Sequence, residues 1–137
     1  MSTFPGRVGL YSNSAGLAQY DPDGHEADAL ETALGIPVIR HVEKKPGGSV
    51  GELEDLFGCP AERMVFIGDR YLTDVAFGNR NGMLTVRSEP WTAVGEKSTV
   101  RMARRIEEAL VARRVRKGRS APPHRLAPNP SLFVKKL

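Results

Sequence analysis

The chain has 137 residues, 40% of them hydrophobic and 26% charged, with a formal net charge of +4. That length suits one domain around one core, and no stretch approaches the roughly 18 consecutive apolar residues of a membrane span. Cys59 is the only cysteine, which excludes an intrachain disulfide and a cysteine-based zinc site.

About seven residues precede the first apolar segment, so a signal or transit peptide is not expected within this chain. Arg7–Tyr11, with Val8 and Leu10, reads as a strand feeding the polar loop Ser12-Asn13-Ser14. Ala27, Leu30, Ala33 and Leu34 fall at helical spacing over Glu26–Leu34, and Gly35 suits the position that ends a helix. Ile36–Arg40 is a short β-branched run and a second strand. Ser49-Val50-Gly51-Glu52 matches a capping box, predicting a helix through Leu53 and Leu56 to Phe57, stopped by Gly58. Met64–Ile67 is a third strand, Thr73–Asn81 a short helix ending at Gly82, and Met83–Val86 a fourth strand. A helix from about Thr99 to Arg116 carries Val100, Ala103, Ile106 and Leu110 on one stripe, and the proline-bearing tail Gly118–Leu137 reads as irregular. Strands alternating with helices predict a parallel sheet covered on both faces.

Polar clusters follow three of these strand-like segments: Ser12-Asn13-Ser14, Lys44-Lys45-Pro46 and Asp69 to Asp74. In an open α/β sheet all three would face the carboxyl edge, where ligands of such sheets bind. A hydroxyl with backbone N–H groups, a lysine and a carboxylate-held Mg²⁺ together suit a phosphoryl group, whose transfer needs positioning and charge neutralisation. Each cluster alone has a plainer reading. Ser-Asn is a common turn, Lys-Lys-Pro a common solvated loop, and Asp69 with Asp74 could simply cap a helix and acidify its first turn.

The ordered set Ser12-Asn13, Lys45-Pro46 and Gly68-Asp69-x-x-x-Thr73-Asp74 resembles motifs two, three and four of the haloacid dehalogenase-like phosphatases. The longer strings Tyr11–Leu17, His41–Gly47 and Gly78–Gly82 narrow this. With Ser88-Glu89-Pro90, the basic helix and a C-terminal Pro-x-x-x-Leu-Phe-Val-Lys, they resemble the phosphatidylglycerophosphate phosphatases of plant plastids and fungal mitochondria. The resemblance covers essentially the whole chain. It implies a Rossmann-like three-layer core with a parallel sheet and helices on both faces over residues 1–98, with a basic amphipathic helix and irregular tail over 99–137. It implies that Ser12 hydrogen-bonds the phosphoryl group while Asn13 shapes its loop, and that Lys45 neutralises phosphate charge. Asp69 would hold Mg²⁺, Asp74 would serve as a second ligand or as a partner of the first, and Thr73 would cap the next helix or orient the carboxylates. Organellar location at a membrane, plastid or mitochondrion, is implied in the same way.

The family's nucleophile is an aspartate in an Asp-x-Asp motif after the first strand, which forms an aspartyl-phosphate. That motif precedes the serine motif, and Met1–Tyr11 contains no Asp. The sheet is therefore expected to lack its first strand and expose apolar surface, and the chain alone to be inactive as a phosphatase. Asp21-Pro22-Asp23-Gly24 is no substitute: it lies on the wrong side of Ser12, follows no apolar strand, and reads as a turn.

The segment Arg101–Arg119 is strongly basic, holding only Glu107 and Glu108 as acids. Such asymmetry suggests an anionic partner. A phospholipid phosphate substrate would place this helix against an anionic membrane, as an interfacial helix; the plainer reading is a helix packed on the sheet with solvated arginines. The helix has no aromatic residue, which argues against single-stranded nucleic acid. A related phosphatase of a soluble phosphoester, and a non-catalytic protein binding anionic partners, are the other readings.

Overall fold

The structure is a computed structural model describing residues 6–90, 92, 95, 96 and 98–129. It is α/β, with helices and one small parallel sheet of two strands among the described residues. The chain divides into two compact units, Met1–Ala61 and Glu62–Leu137. The C-terminal run Leu132–Lys135 lies outside the described residues.

In the first unit, α1 spans His25–Leu34 and ends at Gly35, whose φ of 67° is the left-handed conformation that suits glycine. Ala27 is fully buried and packs with Ala15 and Val38, with Leu10 and Leu30 against them. Ala33 and Leu34, which the helical spacing put on the same stripe, are exposed. The two strands expected here shrink to isolated parallel bridges, Leu10 with Val38 and Leu17 with His41. Leu10 donates to the Pro37 carbonyl and accepts from Ile39, both at 2.8 Å. Pro37 has no N–H of its own to extend that ladder.

Helix α2 spans Gly51–Phe57 and stops at Gly58, as its sequence predicts, with φ 59°. Its start corrects the expectation: Val50 is the N-cap residue and no side chain caps the helix. Ser49 Oγ instead lies 3.4 Å from both the Gly51 N–H and Glu52 Oε2, so hydroxyl and carboxylate meet each other rather than forming a capping box.

In the second unit, β1 (Val65–Gly68) and β2 (Leu84–Arg87) pair in parallel, with Val65 opposite Leu84 and Gly68 opposite Arg87. The crossover between them starts with a wide π-helical turn over Tyr71–Val75, in which the Val75 N–H reaches the Arg70 carbonyl at 3.1 Å. Helix α3, Ala76–Arg80, follows it. Gly78 lets α3 lie at backbone distance from the strands, because a Cβ there would collide with Thr85 and meet Phe66 Cβ at 3.1 Å. Phe77 is fully buried, its ring 5.2 Å from that of Phe66. On the other side of β1, Val65 and Ile67 are 49% and 66% exposed.

Helix α4 spans Ser98–Arg116. Its buried residue is Glu107, whereas Ile106 and Leu110 of the expected apolar stripe are exposed together with Met102. Packing of that whole stripe on the sheet is thereby overturned. The helix is fastened largely by ion pairs: Arg70 with Glu107, Arg87 with Glu108, and Arg104 with Asp69 and Glu96. No helix among the described residues is long and apolar enough to cross a membrane.

Candidate functional site

Ser12, Asn13 and Lys45 all belong to the first unit, and the loops that carry them are stitched together by short-range chemistry. Asn13 Oδ1 accepts the Lys45 N–H at 2.8 Å, and Asn13 Nδ2 reaches the Lys45 carbonyl at 3.5 Å. Lys45 itself is buried, its Nζ donating to the Tyr11 carbonyl at 2.6 Å and standing 5.4 Å from the centre of the Tyr11 ring. Ser12 Oγ accepts the Ser14 N–H at 3.1 Å and lies 3.0 Å from Ser14 Oγ. The turn thus sets two hydroxyls side by side, while its Ser14 N–H is already bonded to Ser12 Oγ.

His41 is a further member that the motif spacing did not single out. Its ring stacks on Tyr11 with centroids 4.2 Å apart and planes inclined by 18°. Nε2 lies 2.7 Å from the Ser12 carbonyl and Nδ1 lies 2.8 Å from the Glu43 carbonyl, so one imidazole ties the serine loop to the lysine loop. The signal was slight: Tyr11 closes one strand-like run and His41 directly follows the other, but the bridges pair Leu10 with Val38 and His41 with Leu17. Burial first, then Glu52 and Glu43, pushes the Tyr11 hydroxyl up to about 12, which keeps it protonated.

Asp21 behaves as a turn residue. Its Oδ2 accepts the N–H groups of Gly16 and Ala27, both at 2.9 Å, and its Oδ1 accepts that of Glu26 at 3.0 Å. These bonds, that from Gly16 foremost, hold its carboxyl below the usual aspartate value. The oxygens are committed to the start of α1 and to the Ser-Asn loop, which leaves no role as a nucleophile.

Asp69 directly follows β1, and Asp74 lies in the π-helical turn after it, both in the second unit. Asp74 is buried directly against Gly68: a Cβ on residue 68 would come 2.7 Å from Asp74 Oδ2. That oxygen also accepts the Arg70 N–H at 3.1 Å. No side chain caps α3, so Thr73 is not its cap. Asp69 borders an open cleft of about 650 Å³ with Gly68, Ser88, Glu96 and Arg104 on its walls.

Two side chains of α4 reach this loop. Arg104 Nη2 pairs with Asp69 Oδ2 at 2.8 Å and with Glu96 Oε1 at 2.7 Å, while Nη1 donates to the Asp69 carbonyl at 3.1 Å. Glu107 takes the Arg70 guanidinium at Nε and Nη2 and also accepts the Tyr71 N–H at 3.1 Å. The glutamate raises the Arg70 value further, and Glu96, followed by Asp69, does the same for Arg104. Burial pushes Glu107 upward, but Arg70 and the backbone N–H groups outweigh it, leaving Glu107 below its ordinary value.

The donor chemistry of the loop fits a small hard cation. Asp69 and Asp74 are carboxylates, and Mg²⁺ is commonly held by one or two carboxylates with water completing the shell. No group of three or more metal-binding side chains gathers among the described residues.

A polar Ser-Lys cluster thus lies in the first unit, and two carboxylates follow a parallel strand in the second. Comparison with known proteins gives the family its name. A family model described as mitochondrial PGP phosphatase matches residues 1–92. The chain belongs to the phosphatidylglycerophosphate phosphatase family, of haloacid dehalogenase-like type. It is 61% identical over 132 residues, 96% of its length, to phosphatidylglycerophosphate phosphatase 1, chloroplastic, of Chlamydomonas reinhardtii, of which it covers 49%. It is 46% identical over 93% of its length to phosphatidylglycerophosphate phosphatase 1, chloroplastic/mitochondrial, of Arabidopsis thaliana, covering 37% of that protein. A probable phosphatidylglycerophosphatase, mitochondrial, of Schizosaccharomyces pombe is 33% identical over 76% of the chain, which covers 50% of it. The chain thus spans half or less of the length of these relatives. No solved structure matches it.

Proposed function

We propose that this chain is the phosphate- and metal-binding part of a phosphatidylglycerophosphate phosphatase, an enzyme that hydrolyses the phosphomonoester of phosphatidylglycerophosphate to leave phosphatidylglycerol. The observation that carries the reading is the 61% identity, over 96% of the chain, to a relative of that name. The core it belongs to is then a three-layer Rossmann-like one, formed by residues 1–98 with α4 and the tail appended over 99–137.

In this reading Ser12 donates its hydroxyl proton to a phosphoryl oxygen. The Ser14 N–H already fixes the lone-pair side of that hydroxyl at 3.1 Å, which supports the direction of donation. Lys45 supplies positive charge to the same group, and Asn13 holds the Lys45 backbone in place. Asp69, with Asp74 as second carboxylate, would hold Mg²⁺, which neutralises phosphate charge when bound. No Asp precedes Ser12, and Asp21 is committed to backbone N–H groups, so we assign no nucleophile to residues 1–137.

A lipid substrate brings the protein to a membrane, and α4 suits that surface. Met102, Ile106 and Leu110 form an outward stripe, 58%, 52% and 46% exposed, with Arg105 and Arg113 beside it. The names of the relatives support a plastid or mitochondrial setting, at the membrane surface. The test is a chimera joining this chain to the part of the Chlamydomonas relative that it does not match. Phosphate release from phosphatidylglycerophosphate in mixed micelles, well above that from small phosphomonoesters, is the expected result. A preference for the soluble esters would replace the lipid reading, and no turnover of either would leave a non-catalytic anion-binding protein.

A further inference from the structure

We infer that Arg104 is a latch on the metal-binding loop: its guanidinium holds the Asp69 carboxylate, so a divalent cation and Arg104 compete for the same oxygen. This inference rests on the reading of Asp69 as a metal ligand. Arg104 Nη2 stands 2.8 Å from Asp69 Oδ2, and Nη1 stands 3.1 Å from the Asp69 carbonyl, so the arginine grips both the side chain and the backbone of one residue. Its second carboxylate, Glu96 at 2.7 Å, gives it a partner that remains when Asp69 is taken by a cation. The Arg104 Nε is buried without a hydrogen-bond partner, so the present pose leaves part of the guanidinium unsatisfied. A cation at Asp69 would be repelled by a guanidinium at that distance, and one of the two must withdraw.

The helix that carries Arg104 is suited to moving. Its outward residues Met102, Ile106 and Leu110 are about half exposed, so this stripe does not itself hold the helix in place. Glu107 keeps its own hold on Arg70 and Tyr71 one turn along, which lets Arg104 leave while α4 stays attached. Metal binding and the position of α4 are therefore linked, and by reciprocity anything that draws α4 away from Asp69 tightens metal binding.

The test is a titration of residues 1–137 with Mn²⁺ as a spectroscopic stand-in for Mg²⁺, read by the loss of the free-ion signal. Arg104→Gln should tighten Mn²⁺ by about tenfold, Arg104→Lys should leave it near the parent value, and Asp69→Asn should abolish it in every background. Arg105→Gln, which removes the neighbouring exposed charge, controls for the general field and should change little. Mg²⁺ should also speed hydrogen exchange of α4 amides in the parent chain but not in Arg104→Gln. Binding that depends on Asp69 but is unchanged or weaker in Arg104→Gln, or raised equally by Arg105→Gln, overturns the latch and leaves the metal site standing. No binding that depends on Asp69 in any variant overturns the metal site and the latch with it.

Discussion

Asn13 clasps the backbone of Lys45 from both sides, accepting its N–H at 2.8 Å and reaching its carbonyl at 3.5 Å. One amide side chain thus sets the position of a residue 32 places further along. Asn13→Ala removes the acceptor and leaves a part-buried N–H without a partner, at a cost of about 1–3 kcal/mol. Urea unfolding of the variant should show that loss. Phosphate titration followed by NMR should show weaker binding with Lys45 still present; unchanged phosphate affinity would separate the clasp from the anion site.

Gly68→Ala should be among the most damaging small substitutions in the second unit. The new Cβ would lie 2.7 Å from Asp74 Oδ2 and 2.5 Å from Asp74 Cγ, so either the strand end or the carboxylate must move. Overpacking of this kind costs about 1–3 kcal/mol. The chemical shifts of Arg70 and Asp74 should change while those of α1 stay fixed. A variant as stable as the parent would mean that Asp74 can be accommodated elsewhere.

Glu107 should set an acid limit on the attachment of α4. Its folded value lies below the unfolded one, so its contribution is present above the usual glutamate value of 4.5 and is lost as pH falls through the folded value. Asp21 and Glu31 are depressed in the same direction in the first unit, so acid weakens both units. Hydrogen exchange of α4 amides should rise on acidification below that range. Glu107→Gln should show high exchange already at neutral pH, with Arg70 left short of its counter-ion.

Charge reversal on the outward face of α4 should abolish any affinity for anionic vesicles. Each basic residue near such a surface contributes about 1 kcal/mol, so Glu in place of Arg101, Arg105 and Arg113 should reduce binding by on the order of 100-fold or more. Co-sedimentation with phosphatidylglycerol vesicles measures this, and zwitterionic vesicles provide the baseline. Arg104 is omitted because it faces Asp69 and Glu96 rather than solvent.

How far the sequence revealed the fold depended on the range of the interaction. Gly35 and Gly58 end their helices through local backbone conformation, and both ends were legible. Val65–Gly68 and Leu84–Arg87 were legible as apolar runs, within a residue at each end. Asp21 read correctly as a turn because Asp-Pro-Asp-Gly is turn chemistry at short range. Arg7–Tyr11 looked like a full strand, but a ladder needs a partner with N–H groups to give, and Pro37 sits opposite.

The contacts that shape the candidate site were harder to see. A basic helix reads the same whether its charges meet water or meet partners 35 or more residues away, so neither the burial of Glu107 nor the inward turn of Arg104 was visible. Likewise, the helical spacing of Ile106 and Leu110 marks a stripe without saying what covers it. The sequence grouped Asn13 and Lys45 by the chemistry that a phosphate requires, but their clasp and the imidazole beside it are tertiary contacts that no periodicity encodes.

A helix fastened by charge rather than by buried hydrocarbon answers to the ionic strength of its surroundings. Screening acts over about 8 Å at physiological salt and falls most heavily on pairs open to water. Glu108, half exposed in its pair with Arg87, loosens first as salt rises, whereas Glu107, 3% exposed against Arg70, holds longest. Added salt therefore frees α4 unevenly, so that the helix swings about its deepest ion pair before it detaches.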